Sequence, residues 1–534
     1  MRRFLQQSRG AQKIMARSKV RLPDNWLERA IRFVSPTWSY RREAARFASA
    51  YAFSGYRGAK TGRPHERWLP GGGSADQDIL GDLPRLRQRS RDLNRNNAIA
   101  AGATNVTVSN TVGSGIKPQS QINAERLGIK PEHALELQLQ AERAYKNWKP
   151  HADSTNRLDF DEIQSIVQRQ ILENGEHFLL PLMIADRRPY SLALELVEAD
   201  RVGTPPMMEA TRRSKTRSGI ELGERSQPVA YHIKKQHPGD YTVSGQYKTN
   251  DYARIPAWNE MGRRNVFHLF HQTRPGQSRG VPWFAPAMTV FKDMGEYLET
   301  ELVSARIAAC YSVFVTTPNP YPMRVNASAG NTDSEGKPVE YMEPGIVKYL
   351  APGEDIKGYS PNRPGTTFDS FMERILRAIG VALDLPYELL AKDFSKTNYS
   401  SARAALLEAR RFFQIRQQWL AIHLCQPVWE MVLEEAWLRG EFDAPDFLEN
   451  RREYTATRWI PNGWQWVDPV KEAKGNETSL KNNMTTLSSI LASRGEDLDE
   501  TLETRAQELR KMNELEKKYH VTFDPERAAG AAEN

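Results

Sequence analysis

The sequence predicts an α+β protein with several domains, and three observations support this fold class. The chain has 534 residues, which is more than one hydrophobic core usually supports. Hydrophobic residues make up 39% of it, enough for burial to offset the ordering of the chain. Strand-like and helical segments mix between positions 159 and 270, whereas long helical repeats dominate positions 286 to 440.

The N-terminal region is basic, although the whole chain is only weakly so. Seven Lys and Arg residues and no acid precede Asp24, against a net charge of +8 overall. Residues 1–40 are therefore interpreted as a solvated, disordered arm or as a segment that contacts anionic partners within an assembly. A net charge of this size falls short of a dedicated DNA-binding domain.

A second basic run follows the break at Gly71-Gly72-Gly73 and contains Arg85, Arg87, Arg89, Arg91 and Arg95. A helix whose arginines pair with carboxylates at the surface is favoured over a nucleic-acid patch. The run leads into an alternating segment, 104–112, of the kind found in strands.

An α/β pattern begins at Asp159. Apolar residues from Phe160 to Ile171 share one helical face, and Asn174-Gly175 predicts a turn. Strand-like runs follow, and they are predicted to complete one sheet: 177–182, 192–197, 229–233 and 266–270.

Two amphipathic helices bracket a Pro/Gly-rich insertion. The first is predicted to start at Pro286 and the second near Thr367, so that the helices lie side by side. The insertion, 314–366, is predicted to be a small β-rich subdomain at their tip. The residues expected to pack between the helices are Phe291, Met294, Leu298, Leu302, Phe371, Ile375 and Ile379.

A polar loop and a long helix come next. A short helix is expected after Pro386, the loop spans Asp393 to Tyr399, and Ser400 caps a helix that ends at Gly440. Pro427 should kink that helix. Further helical patterns start after Asp468-Pro469 and, beyond a break at Gly495, at Leu498.

The sequence motifs predict no catalytic residues, no metal and no cofactor. No G-K-[ST] follows the glycines at 71–73, and no H-E-x-x-H occurs. The pairs Asp161/Glu162 and Glu195/Glu198 could hold Mg²⁺ in a nuclease, but the two D-x-E triplets, at Asp333 and Asp524, sit in loop-like or terminal sequence. His268 and His271 lie three apart in a strand-like run and should point to opposite faces.

The remaining sequence signals limit the class of protein. Cys310 and Cys425 fall on apolar helix faces, where reduced core thiols are expected. The sequence contains no run of eighteen or more apolar residues, so no membrane-spanning helix is predicted. The N-terminus lacks the apolar stretch and cleavage site of a secretory signal, so export is not expected.

Several separated stretches, in order, carry a resemblance to a known family. The chain resembles portal proteins of tailed bacteriophages, of the lambda-like group, over most of positions 85–510. The stretches are RSRDLNRNNAIAAGATNVTVSNTVGSGI (89–116), ENGEHFLLP (173–181), LELVEADRV (194–202), FHLFHQTRPGQSRGVPWFAPAM (267–288), LPYELLAKDFSKTNYSSARAALLE (385–408) and WVDPVKE (466–472).

The resemblance implies a portal fold with an α/β wing, two long stem helices, a β-rich clip and a helical crown. The implied divisions run in chain order: 1–40 basic arm, 41–285 wing, 286–313 first stem helix, 314–366 clip, 367–390 second stem helix, 391–400 channel loop, 401–465 wing helix and return, 466–520 crown, and 521–534 disordered tail.

The resemblance also implies function. A ring of about twelve subunits would sit at one capsid vertex, where double-stranded DNA is packaged and later ejected and where head joins tail. The implied partners are the terminase large subunit, the major capsid protein and the head-completion or tail-connector proteins, with no membrane. The protein would be found in the virion and, during assembly, in the host bacterial cytoplasm. It would not be an enzyme.

The channel loop is the predicted DNA contact. Lys392, Lys396 and Asn398 are expected to approach phosphates, because sliding needs weak contacts that ignore base sequence. The alternative is a loop that only joins helices, with Lys392 paired to Asp393. Two other classes also stay open for the whole chain: a phage DNA-processing enzyme of the terminase or integrase type, and a capsid or scaffolding protein.

Overall fold

The structure is a computed structural model that describes residues 71–209, 215–240, 251–309, 313–316, 355–358, 368–464 and 469–523. Contacts divide the chain into 1–72 and 73–534, and all elements below belong to the second unit. The predicted basic arm, Cys310, most of the insertion 314–366, and positions 524–534 of the predicted tail lie outside the described residues.

Helices dominate the described residues. They are α1 (Ala75–Ile79), α2 (Leu83–Asn96), α3 (Ala98–Thr111), α4 (Ala124–Leu127), α5 (Pro131–Trp148), α6 (Phe160–Asn174), α7 (Pro206–Glu209), α8 (Met288–Ala309), α9 (Phe368–Ala382), α10 (Tyr387–Ala391), α11 (Tyr399–Leu420), α12 (Gln426–Leu438), α13 (Arg451–Tyr454), α14 (Pro469–Lys481), α15 (Leu487–Ser493) and α16 (Leu498–Tyr519). None of them is long and apolar enough to cross a membrane, among the residues described.

The strands form small antiparallel sheets. They are β1 (Lys117–Ser120), β2 (Glu176–Met183), β3 (Leu192–Val197), β4 (Thr216–Arg217), β5 (Ile220–Leu222), β6 (Pro228–Lys234), β7 (Tyr252–Pro256), β8 (Phe267–Phe270), β9 (Val313–Thr316), β10 (Asp355–Gly358) and β11 (Thr457–Ile460). Strand order is β3-β2-β8 in one sheet and β4-β5-β6-β7 in another, while β1 pairs with β11 and β9 with β10. The mixed helix and sheet content confirms the predicted α+β class.

The prediction of a single sheet was wrong. Both edges of β2 are occupied, because Phe178 pairs with Val197 of β3 and with His268 of β8. The strand predicted at 229–233 belongs to the other sheet, as β6 between β5 and β7.

The helix and the turn predicted around α6 are confirmed. Asp159 Oδ1 accepts a hydrogen bond from Glu162 N at 2.8 Å, and Glu162 Oε2 accepts one from Asp159 N at 2.9 Å. This capping box fixes the start of the helix. Gly175, with φ +86°, ends it in the left-handed conformation that turns the chain into β2.

The alternating segment 104–112 is helical, not extended. Asn97 caps α3 by accepting hydrogen bonds from the backbone N–H groups of Ile99 and Ala100. Small residues then recur at helical spacing, and Ala100, Ala103, Thr104 and Thr107 are all buried. Because these small side chains let neighbouring helices approach, packing rather than hydrophobic alternation determines this element.

Three hydrophobic clusters organise the molecule. The first joins α5, α6 and α12 around Trp148, Phe160 and Trp429. The second joins α3, α8, α9 and α11 around Phe291 and Phe413. The third lies between the two larger sheets.

The long helix predicted from Ser400 to Gly440 is interrupted. It comprises α11, a π-helical turn at Ala421–Cys425 and α12, with Pro427 in the first turn of α12. The capping residue is Asn398 rather than Ser400, and Gly440 adopts φ +72° just past the helix end. Cys425 is a buried thiol, and burial raises its pKa.

The remaining boundaries differ slightly from prediction. The first bracketing helix, α8, begins at Met288 because Ala287 N bonds Phe284 O in a preceding turn. The second, α9, ends at Ala382, and the residues of 367–390 beyond it form a loop and α10. In the C-terminal region, the single helical stretch predicted after Asp468-Pro469 forms two helices, α14 and α15. They are separated by a turn in which Asn483 adopts φ +55°.

Candidate nucleic-acid interface

The predicted channel loop is a short turn between α10 and α11. Lys392 ends α10 in the left-handed conformation, with φ +53°. Asp393 accepts hydrogen bonds from Ser395 N at 2.9 Å, from Ser395 Oγ at 2.6 Å and from the Tyr387 hydroxyl at 3.1 Å. These bonds hold the pKa of Asp393 below its usual value. The alternative pairing of Asp393 with Lys392 is therefore not adopted.

The three residues predicted to approach DNA occupy different environments. Lys396 Nζ lies 3.0 Å from Glu373 Oε2 on α9, and this bond raises the pKa of Lys396. Asn398 Oδ1 accepts from Ser401 N at 2.8 Å and so caps α11. Lys392 is exposed and makes no hydrogen bond or ion pair with the residues that the structure describes. Of the three, Lys392 has the most available charge.

The seven residues predicted to pack between α8 and α9 divide into two groups. Phe291, Met294 and Ile379 are buried in the second cluster, with Leu298 and Ile375 packed against it. Leu302 and Phe371 are exposed within one copy, by 60% and 49%. Phe371 nevertheless contacts α8, because its ring centre lies 5.4 Å from that of Tyr297. For Leu302 the prediction is corrected: the cluster covers the part of the helices near α3 and α11 and does not reach it.

A buried ion cluster lies at the base of the first sheet, and sequence reasoning missed it. Glu176 Oε1 accepts from Arg279 Nε at 2.7 Å and also from Arg87, while Glu176 Oε2 accepts from Gly280 N at 2.9 Å and lies 2.8 Å from His268 Nε2. Burial by itself would raise the pKa of Glu176. Arg279 and Arg87 outweigh burial, so the pKa lies well below its usual range.

This cluster explains part of the second basic run. Arg87 is buried against Glu176, and Arg91 pairs with Asp200 at 2.5 Å. Pairing of these arginines with carboxylates is confirmed, although the prediction of a surface helix is wrong for Arg87, which is only 5% exposed. One sequence signal could have pointed to this cluster: Arg87, Glu176 and Arg279 all lie near or within the stretches that carried the resemblance.

The other acidic and histidine candidates have structural partners. Lys149 pairs with Asp161, and Glu195 lies 3.1 Å from Arg201. His271 lies just past the end of β8 and packs on Trp419 at 4.3 Å between ring centroids. Within the described part of the chain, no cluster of three or more His, Cys, Asp or Glu side chains could hold a metal ion.

Comparison with known proteins identifies the family. The family model described as phage portal protein, lambda family, matches residues 61–417, which is more than half of the chain. The chain belongs to this family. As a lambda-family portal protein it is a virion component and a head-tail connector of phage-like particles. The family is a structural one.

Individual relatives agree with the family match. The probable portal protein of Halomonas phage phiHAP-1 is 26% identical over 448 residues, covering 83% of each chain. Portal protein B of Escherichia phage lambda is 24% identical over 488 residues, covering 85% of this chain and 89% of that protein. Among solved structures, a chain from the neck of a native gene transfer agent particle aligns with a TM-score of 0.41 and 13% identity, covering 76% of this chain and 91% of the other.

Proposed function

We propose that this portal protein assembles as a closed ring of about twelve copies at one capsid vertex and passes double-stranded DNA inward during packaging and outward during ejection. The observation that carries the proposal is the lambda-family portal match over residues 61–417. Such a ring acts as a conduit, and hydrolysis of ATP belongs to a separate motor protein.

The proposed division of labour follows the chain. Residues 41–285 and 401–465 form the wing, 286–313 and 367–390 the stem, 314–366 the clip and 466–520 the crown. The antiparallel pair β9 and β10 supports a β-rich clip, because these strands lie near the two ends of the insertion and join Thr316 to Asp355 and Val313 to Gly358. The clip would therefore project from the end of α8.

The proposed partners are assigned by position. The clip would dock the terminase large subunit during packaging and head-completion or tail-connector proteins afterwards. The wing would contact the major capsid protein. Assembly would take place in the bacterial cytoplasm and leave the ring at the portal vertex of the virion.

The proposed DNA contact is the loop 391–400. Its exposed Lys392 can approach phosphates, while Lys396 would first have to exchange its contact with Glu373. Asn398 is engaged as a helix cap, which leaves its amide N–H₂ group to donate to a phosphate oxygen. One lysine per copy, repeated around a ring, would give weak, sequence-independent contacts.

The experiment that tests the ring is negative-stain electron microscopy of the full-length protein with mass photometry on the same sample. Closed rings of about a dozen copies, with a hole wide enough for duplex DNA, are expected. Sheets or shells would indicate a capsid or scaffolding protein instead. A monomer that hydrolyses ATP or cuts DNA would indicate a DNA-processing enzyme and overturn the proposal.

A further inference from the structure

A basic groove lies between α11, α14 and the end of α15. It has a volume of about 760 Å³, and the described residues that line it include four basic side chains and one carboxylate, Glu472. The basic side chains are those of Arg403, Arg410, Arg411 and Lys471. The groove therefore carries an excess of positive charge.

The walls of the basic groove are held in place. The Arg410 guanidinium lies 5.6 Å from the centre of the Trp464 ring, and Trp464 Nε1 donates to Asn110 Oδ1 at 2.8 Å. Burial lowers the pKa of Arg410, Glu472 opposes this effect, and Arg403 adds to it. Positive charges thus crowd one another on a fixed surface. Leu407, 47% exposed, lies between Arg403 and Arg410 on the same helical face.

An acidic groove of about 790 Å³ is lined by residues of α5, of the turn that joins α15 to α16, and of α16. Acidic side chains outnumber basic ones in its lining, in which Glu496, Asp497, Asp499, Glu500 and Glu503 come from one short segment. Burial raises the pKa of Glu142 across the groove, and Asp497 and Asp499 raise it further. The start of α16 is therefore an anionic segment, and no residue of this helix is buried.

A closed ring needs two different surfaces on every copy, because each head-to-tail contact joins one face of a subunit to another face of the next. We propose that the basic groove of one copy receives the acidic start of α16, residues 496–503, from the neighbouring copy. Charge complementarity selects this partner and its register, and the exposed Leu407 and Leu502 supply apolar contact beside the charges. The inference rests on the proposed ring and adds to it the contact that closes it.

A charge-exchange experiment tests the contact on the full-length chain. One variant carries Arg403→Glu and Arg411→Glu, a second carries Glu500→Lys and Glu503→Lys, and a third combines all four. These side chains are exposed, so each variant should fold. Mass photometry is expected to show that either double variant lowers the fraction of rings about tenfold, and that the combination recovers most of it.

The control variant carries Arg225→Glu and Arg452→Glu, which change the net charge as much as Arg403→Glu with Arg411→Glu does, but at exposed arginines outside both grooves. It should assemble like the unaltered chain. Rings that survive the double reversals, or a combined variant that assembles no better than its parents, overturn the contact. So does normal assembly with weaker DNA retention, which would assign the groove to phosphates. An unaltered chain that stays monomeric would instead contradict the ring itself.

Discussion

At the scale of single residues, Glu176 is the centre of the buried ion cluster. It is fully buried and bonded by Arg279, Arg87, His268 and the backbone of Gly280. Its partners lie about 90 to 100 positions away in the chain, so no local pattern could reveal them. Local reasoning did predict helix α6 and the turn at Asn174-Gly175, because the periodic apolar face and the turn residues lie close together in the sequence.

Glu176→Gln should destabilise the protein by about 3–5 kcal/mol, because it removes the counter-charge of buried Arg279 and leaves buried Arg87 with only the longer contact to Asp200. Chemical denaturation monitored by circular dichroism measures this loss. The matched control is Glu195→Gln. Glu195 forms a partly exposed pair with Arg201, and losing this pair should lower the free energy of unfolding by no more than about 1 kcal/mol. Equal losses in the two variants would contradict a special role for Glu176.

His177 should make stability depend on pH. It is buried, neither ring nitrogen is hydrogen-bonded within the described residues, and burial lowers its pKa to about 4. Between pH 6.5 and 4 the unfolded chain binds a proton that the folded chain does not, so stability falls as pH falls, by up to about 3 kcal/mol. Denaturation at pH 7 and pH 5 should show a smaller difference for His177→Phe than for the unaltered chain.

Lys392 should affect DNA and not assembly. If the loop lines the channel, Lys392→Ala removes an exposed positive charge that has no partner among the described residues, and DNA retention in particles should decrease. Lys396→Ala should have a smaller effect, because Glu373 already neutralises that charge. Ring formation by mass photometry is the control. Loss of rings in Lys392→Ala would indicate packing instead.

At the scale of elements, the turns that join helices to strands explain two of the stretches that carried the resemblance. Gly175 and Gly280 meet backbone to backbone, and a Cβ on Gly280 would lie 2.1 Å from Gly175 O. This approach lets Gly280 N reach Glu176. The existence and the type of the strongly periodic elements were predictable from the sequence. The division of the strands into two sheets was not, because it depends on which strand edges pair in the folded chain.

Gly280→Ala should therefore destabilise the protein by more than about 1 kcal/mol, since the added methyl group meets backbone that cannot yield freely. Gly295→Ala is the control of opposite sign. Gly295 lies inside α8 with no atom near the position of a Cβ, so alanine should stabilise the helix by about 0.5–1 kcal/mol. Thermal unfolding of both variants measures the two shifts, and a destabilised Gly295→Ala would contradict the open surface.

At the scale of the whole molecule, family membership was predictable from the order of separated stretches, although none of them is a catalytic motif. The subunit number was not predictable, because symmetry depends on the angle between neighbouring copies. The acidic residues at the start of α16 were visible in the sequence. The fold was needed to show that basic residues from separate helices form a groove of the opposite charge.

The last helix should matter to the ring and not to the stability of one copy. No residue of α16 is buried, so a chain that ends at Glu496 loses no buried side chain of this helix. Its midpoint of thermal unfolding should stay within about 2 °C of that of the full chain at low protein concentration. Mass photometry should show that rings are lost, because the anionic segment that would enter the neighbouring groove is missing. A large fall in the midpoint would instead place α16 in the fold of the single copy, and rings that persist would move the closing contact to another surface.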